Sequence, residues 1–183
     1  MSVSTGEESL SRLAAYHGYD CPVSAWSPRG RGAPHHPALP SPWQACLTHR
    51  GRRVVAGLAT VPVGIDIEHT RPRHNKRLAE LVALLPEAAV RHAILESSNP
   101  LQAFYQAWTR HEALFKLDSL CGSPPDHVLA TRLARLSPEG DIHAWQWQHA
   151  GWTISLCSQH RSLQIRSLPR LAIRKIQSIA AAL

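Results

Sequence analysis

The chain has no run approaching the ~20 consecutive apolar residues that a membrane-spanning helix needs. Its first residues, Met1 to Leu10, are polar and acidic, unlike a secretory signal, so a cytoplasmic protein without a membrane partner is expected. The four cysteines, Cys21, Cys46, Cys121 and Cys157, contain no C-x-x-C pair, which excludes a zinc ribbon and a dithiol redox motif; they read as reduced packing residues. Acidic residues are scarce: 13 Asp and Glu stand against 20 Lys and Arg, a formal charge of +7. Such an excess points to an anionic partner. Most of the cations are arginine, whose planar fork suits phosphate and carboxylate.

With 44% apolar and 18% charged residues in 183, the chain can build a packed core as one domain or as two small lobes sharing an interface. A short helix is expected over Glu7–His17, then a Pro- and Gly-rich loop to Pro42. Three strands follow in Trp43–His49, Arg53–Val61 and Val63–His69. Helices are expected over Lys76–Leu85, Pro86–Glu96 and, with Asn99 as N-cap and Pro100 in the first turn, up to Asp118. Strand character returns in His127–Leu136, Ile142–His149, Trp152–Ser158 and Leu163–Leu168, and Pro169–Leu183 reads as a basic amphipathic helix. The order of strands, helices and strands implies an α+β class, and the two strand groups could be halves of a duplicated fold.

In Val63-Gly64-Ile65-Asp66-Ile67-Glu68, strand alternation puts both carboxylates on one face and both isoleucines on the other, toward a core. Asp66 and Glu68 are then two hard oxygen donors suited to Mg²⁺; the competing reading is a solvated strand face. Trp108, Glu112 and Lys116, four apart, line one helix face, either as a packing residue with an ordinary i,i+4 ion pair or as a third carboxylate with a phosphate-directed cation. His111-Glu112 fails as a zinc-protease motif, because Phe115 stands where its second histidine would be. His49 with Arg50, Arg52 and Arg53 around Gly51 could cradle phosphate or form an exposed basic turn. Trp145, Trp147 and Trp152 could stack on bases, with core packing as the alternative.

Three of these segments, in order, resemble the 4′-phosphopantetheinyl transferases, specifically the monomeric two-lobed type that activates carrier proteins of peptide and polyketide synthesis. That family carries a strand ending in Ser-His, then (I/V)G(I/V/C)D(I/V)E, then W-x-x-K-E-(A/S)-x-x-K. Here they read LTHRG, PVGIDIE and WTRHEALFK, and Arg29–Pro34 resembles a weaker Gly-Lys-Pro element. The resemblance implies two pseudo-twofold-related lobes, 1–65 and 66–183, each a small antiparallel sheet packed with a helix. It implies Asp66, Glu68 and Glu112 as Mg²⁺ ligands, and Lys116 at the coenzyme A diphosphate. His49, Arg50, Arg31 and Arg12 become coenzyme A contacts, with Glu87 or Glu112 activating the acceptor serine. The reaction implied is transfer of phosphopantetheine from coenzyme A to a serine of an acidic acyl or peptidyl carrier protein, releasing 3′,5′-ADP.

Two departures stand out: His111 replaces a lysine and Arg50 a small residue. Only eleven residues precede Arg12, where longer relatives have a basic nucleotide-binding segment, so weaker cofactor affinity is expected. Two other readings remain: a coenzyme A or carrier-protein binder of the same fold without catalysis, and a nucleic-acid binder. The dispersed charge and the acidic triplet weigh against the latter.

Overall fold

A computed structural model describes residues 5–28, 30, 32–122, 125–166 and 177–178. Helix α1 (Gly6–Tyr16) starts at a capping box, in which the Thr5 hydroxyl accepts from the Glu8 amide and the Glu8 carboxylate accepts from the Thr5 amide. Strands β1 (Gln44–Arg50) and β2 (Arg53–Ala59) form an antiparallel hairpin closed at Arg50 and Arg53. Alternation divides its residues. Ala45 packs with Leu10, Ala14, Cys21 and Trp26 on the α1 side, whereas Cys46 packs with Val63 and Ile65 on the other.

Strand β3 (Gly64–His69) opens a second sheet of order β3-β5-β4-β6, antiparallel throughout, with β4 at His143–His149, β5 at Trp152–Ser158 and β6 at Gln177–Ser178. Ala150 and Gly151 turn β4 into β5, both with positive φ. Between β3 and β4 the chain is helical: a 3₁₀ segment Pro72–Arg77, α2 (Leu78–Ala83), α3 (Ala88–Leu95) and α4 (Pro100–Leu120). Asn99 caps α4 by accepting from the Gln102 amide, and Pro100 occupies its first turn.

The larger sheet has two different faces. Ile65, Leu156, Trp145 and Trp147 share a core with Cys46 and Val63. The opposite face carries Gly64, Cys157 and Ala144 in one cross-strand row and Asp66, Ser155 and Gln146 in the next. Helix α4 lies on this second face. Ala113, Leu114 and Leu117 pack on Ala144, Cys157 and Ile142, while the Gln146 amide donates to Gln106 O at 2.9 Å and Ser155 Oγ at 2.8 Å. Thr109 Oγ1 and Ser155 Oγ are 2.7 Å apart. A buried polar row therefore fixes the rotation of α4 over the sheet.

The α+β class holds: small antiparallel sheets packed with helices. Several sequence expectations change. His127–Leu136 is two 3₁₀ turns, Val128–Ala130 and Leu133–Leu136, instead of a strand. Leu129, Leu133 and Leu136 pack on the helical core of α2–α4, and their spacing satisfies turns better than an alternating face. Leu163–Arg166 is not a strand either; Leu163 and Ile165 pack beside the tryptophans. Of the basic helix expected over Pro169–Leu183, only Gln177 and Ser178 lie within the described residues, and there the backbone pairs with β4 as a strand. All four cysteines are free, three of them buried and Cys121 exposed. Among the described residues no helix is long and apolar enough to cross a membrane.

Candidate active site at the seam of the two sheets

Gly64 sets the site. An added Cβ there would lie 1.9 Å from the Ala113 carbonyl oxygen and 2.6 Å from the Leu117 amide nitrogen, so only glycine lets α4 touch β3. This close approach, two residues before Asp66 and level with Ala113–Leu117, brings Lys116 onto Asp66. The ammonium is 2.7 Å from Asp66 Oδ1 and also donates to Ile65 O at 3.1 Å and Thr48 Oγ1 at 3.2 Å. Thr48 in turn donates to Asp66 Oδ1 at 3.0 Å. Thus β1, β3 and α4 meet at one buried carboxylate, 6% exposed, and the reading of the D-x-E motif as solvated surface fails.

Glu68 lies on the same face of β3, 2.9 Å from Arg50 Nε. Among the described residues neither atom has hydrogen-bond geometry, so this is a charge contact alone, and Asp66 Oδ2 is likewise buried without a partner. Burial pushes the Glu68 carboxyl above its ordinary value, opposed by Arg50 and reinforced by Asp66. Glu112 is raised by burial first and by Asp66 and Glu68 in addition, with Lys116 opposing. Three carboxylates thus feel one another across the β3–α4 contact, opposed by Arg50 and Arg71 at Glu68 and by Lys116 at Glu112. Among the described residues no three such groups are already arranged around a metal position. The donor set nevertheless fits a hard divalent cation in kind: it is all carboxylate, partly buried and mutually repelling, with unpartnered oxygens.

The remaining predicted residues are placed as follows. Glu87, at the start of α3, accepts from the backbone amides of Leu133 at 2.8 Å and Ala134 at 2.9 Å, and lies 3.9 Å from His111 Nε2. It anchors the turn after α4 and is not among the charges acting on Glu68 or Glu112. His111 is fully buried, with Nδ1 2.7 Å from Thr131 Oγ1. Burial lowers its pKa to about 4, offset in part by Glu87, so it is a neutral packing residue at pH 7.

The residues around Gly51 do not converge into a cradle. Arg50 goes to Glu68, Arg53 lies over the Trp152 ring at 4.8 Å, and His49 is exposed on the parity of Ala45, the α1 side. Arg12 is exposed on α1, and Arg31 lies outside the described residues. Trp145 and Trp147, 8% and 6% exposed, are core residues and cannot stack on bases. Trp108 packs on Phe104. Thr48 is the residue that sequence reasoning passed over in favour of His49; its parity on β1, shared with Cys46 and Arg50, was the available signal. After the weak Arg29–Pro34 element a cavity of about 260 Å³ opens, walled by Ala33, Pro34, His36, Trp43, Ala45 and Leu120.

A sequence model of the 4′-phosphopantetheinyl transferase superfamily matches residues 62–157, just over half of the chain, from the approach to β3 through β5. The chain belongs to this superfamily. The matched stretch contains Gly64, Asp66, Glu68, Glu112 and Lys116. No curated protein matches the chain.

Proposed function

We propose that the protein transfers the phosphopantetheine arm of coenzyme A to a serine of an acyl or peptidyl carrier protein, releasing 3′,5′-ADP. The observation that carries this reading is the meeting of Lys116 with Asp66, beside Glu68 and Glu112, in the segment matched by the superfamily. Asp66, Glu68 and Glu112 would hold Mg²⁺, which when bound supplies positive charge against the diphosphate. Lys116 has a compact, rotatable ammonium that can turn from Asp66 to a diphosphate oxygen and offset the charge growing on the departing 3′,5′-ADP. As the serine oxygen bonds to the β-phosphorus, the bond from that phosphorus to the bridging oxygen breaks. Glu112, a carboxylate of the same cluster, takes the serine proton. We assign that step to Glu112 over Glu87, whose two oxygens already accept backbone amides.

Arg50 is positioned to exchange Glu68 for phosphate, and His49, Arg12 and Arg31 complete the proposed coenzyme A contacts. The cavity beyond Ala33 and Pro34 would take an apolar or planar part of the cofactor. The packing of α1 on the β1–β2 hairpin and of α4 on β3 and β5 supports two related lobes, divided near residue 65. We read the protein as a cytoplasmic monomer.

The test is incubation with coenzyme A, Mg²⁺ and an apo carrier protein, followed by intact mass. Addition of phosphopantetheine, lost in Asp66→Ala, is expected; no addition to carriers from fatty acid, polyketide and peptide synthesis would refute the reading. A silent binder of the same fold is favoured only by the cations already seated on Asp66 and Glu68. Release of 3′,5′-ADP separates the two.

A further inference from the structure

The two cations at the carboxylate cluster are held in different ways. Lys116 donates to three oxygens, Asp66 Oδ1, Ile65 O and Thr48 Oγ1, so its position is fixed by hydrogen bonds to two strands. Arg50 meets Glu68 by charge alone: Nε stands 2.9 Å from Oε2, both atoms are buried, and among the described residues neither makes a hydrogen bond. A guanidinium locked onto a carboxylate looks different, as at Arg135, whose Nη1 donates to both oxygens of Asp118 at 2.9 Å. The Arg50 side chain is also 33% exposed against 14% for Glu68, so it has solvent to retreat into. It ends β1 directly opposite Arg53, whose guanidinium lies over Trp152; the like charge across the hairpin does not anchor it. Among the described residues Glu68 Oε2 and Asp66 Oδ2 are the buried carboxylate oxygens left without a hydrogen bond, and Arg50 covers the first of them.

We propose that Arg50 is a displaceable counter-ion that occupies the place of a divalent cation at Glu68, and that it couples the binding of that cation to the binding of a phosphorylated ligand. While Arg50 sits on Glu68, an incoming ion finds one carboxylate fewer. Its affinity is reduced by the fraction of molecules in which Glu68 is free. A phosphate group drawn up beside the hairpin gives the guanidinium a second anion, so Arg50 yields Glu68 to the ion at less cost. Each of the two ligands then raises affinity for the other by the same factor. Position 50 is one at which this chain departs from the family motif, so the device belongs to this chain. That the phosphorylated ligand is coenzyme A rests on the transferase reading; the exchange at Glu68 does not.

The test is calorimetric titration of Mg²⁺ into the wild type, Arg50→Gln and Arg71→Gln, each with and without saturating coenzyme A. Arg71 also acts on Glu68 but among the described residues is not paired with it, so its loss removes the same charge without uncovering the carboxylate. Without coenzyme A, Arg50→Gln is expected to bind Mg²⁺ about fivefold more tightly than the wild type, and Arg71→Gln less than about twofold. The gain in Mg²⁺ affinity brought by coenzyme A should be about fivefold smaller in Arg50→Gln than in the wild type. A measurement on the wild type alone needs no variant to fold: saturating Mg²⁺ should shift the Arg50 Nε–H signal in nitrogen-detected NMR. The inference is overturned if Arg50→Gln binds Mg²⁺ no more tightly than the wild type, if Arg71→Gln gains as much, or if no protein of the set binds Mg²⁺. It also falls if the Arg50 signal stays unmoved, or if coenzyme A brings equal gains to wild type and Arg50→Gln. The expected Mg²⁺ results without mass transfer by the wild type would sink the transferase reading and leave the exchange standing; transfer with equal gains would do the reverse.

Discussion

The carbonyl of Ala113 occupies the space that a side chain at Gly64 would need, at 1.9 Å from the missing Cβ. Helix and strand therefore touch backbone to backbone, and the registry of Lys116 over Asp66 depends on that contact.

Gly64→Ala should be costly, because backbone of both α4 and β3 must move to admit one methyl group. A loss of about 3 kcal/mol is expected in urea titration. Even under conditions where the variant is folded, transfer activity should be impaired through displacement of Lys116. A variant as stable and active as the wild type would refute the close approach.

Glu112→Gln should abolish transfer yet stabilise the metal-free protein by about 1 kcal/mol at neutral pH, as expected where like charges are held together for function. A carboxyl whose folded pKa is raised contributes stability when protonated and loses it as pH rises from its ordinary range through the raised value. Glu112→Gln should remove part of that decline. Thermal melts from pH 5 to 8, with and without Mg²⁺, supply the comparison: the wild type should gain more from the ion than the variant does.

His111 works in the opposite direction. Its folded pKa of about 4 lies below the ordinary 6.5, so the unfolded chain takes up the proton first. The stability present above pH 6.5 is then lost as pH falls toward 4, by about 3 kcal/mol. His111→Gln is expected to be less stable at pH 7 but flatter over that window. An equally steep acid loss in the variant would show that other groups are responsible.

At the β4–β5 turn Ala150 adopts φ 47° with Gly151 at φ 77°, a pair of conformations for which Asn-Gly is the favoured sequence. Ala150→Asn should raise stability by about 0.5–1 kcal/mol, or roughly 1–4 °C in Tm. A lowered Tm would contradict this turn geometry.

The placement of the central side chains was legible because it depends on local periods. A spacing of two put Asp66 and Glu68 on one face with Ile65 and Ile67 behind, and a spacing of four aligned Glu112 with Lys116. What joins those segments is long-range and left fainter marks. Thr48 was readable from strand parity, but the adjacent histidine and arginines drew the assignment toward a cradle that alternation splits between opposite faces. The segment His127–Leu136 read as a strand because its apolar residues fit several periods. Its actual shape is imposed by Glu87, more than forty residues earlier, accepting from Leu133 and Ala134. The resemblance offered Glu87 as a proton acceptor, and sequence does not reveal that both its oxygens already accept backbone amides.

The Thr48–Asp66 hydrogen bond spans two sheets that share no ladder. The hairpin bearing Thr48 and Arg50 can therefore act as a lever, with α1 as its backrest where Leu47 lies against Gly6. Pressure applied on that far flank, by a bulkier residue or a bound molecule, would be delivered to the carboxylates as a change of angle, and distant edits could tune the chemistry without touching it.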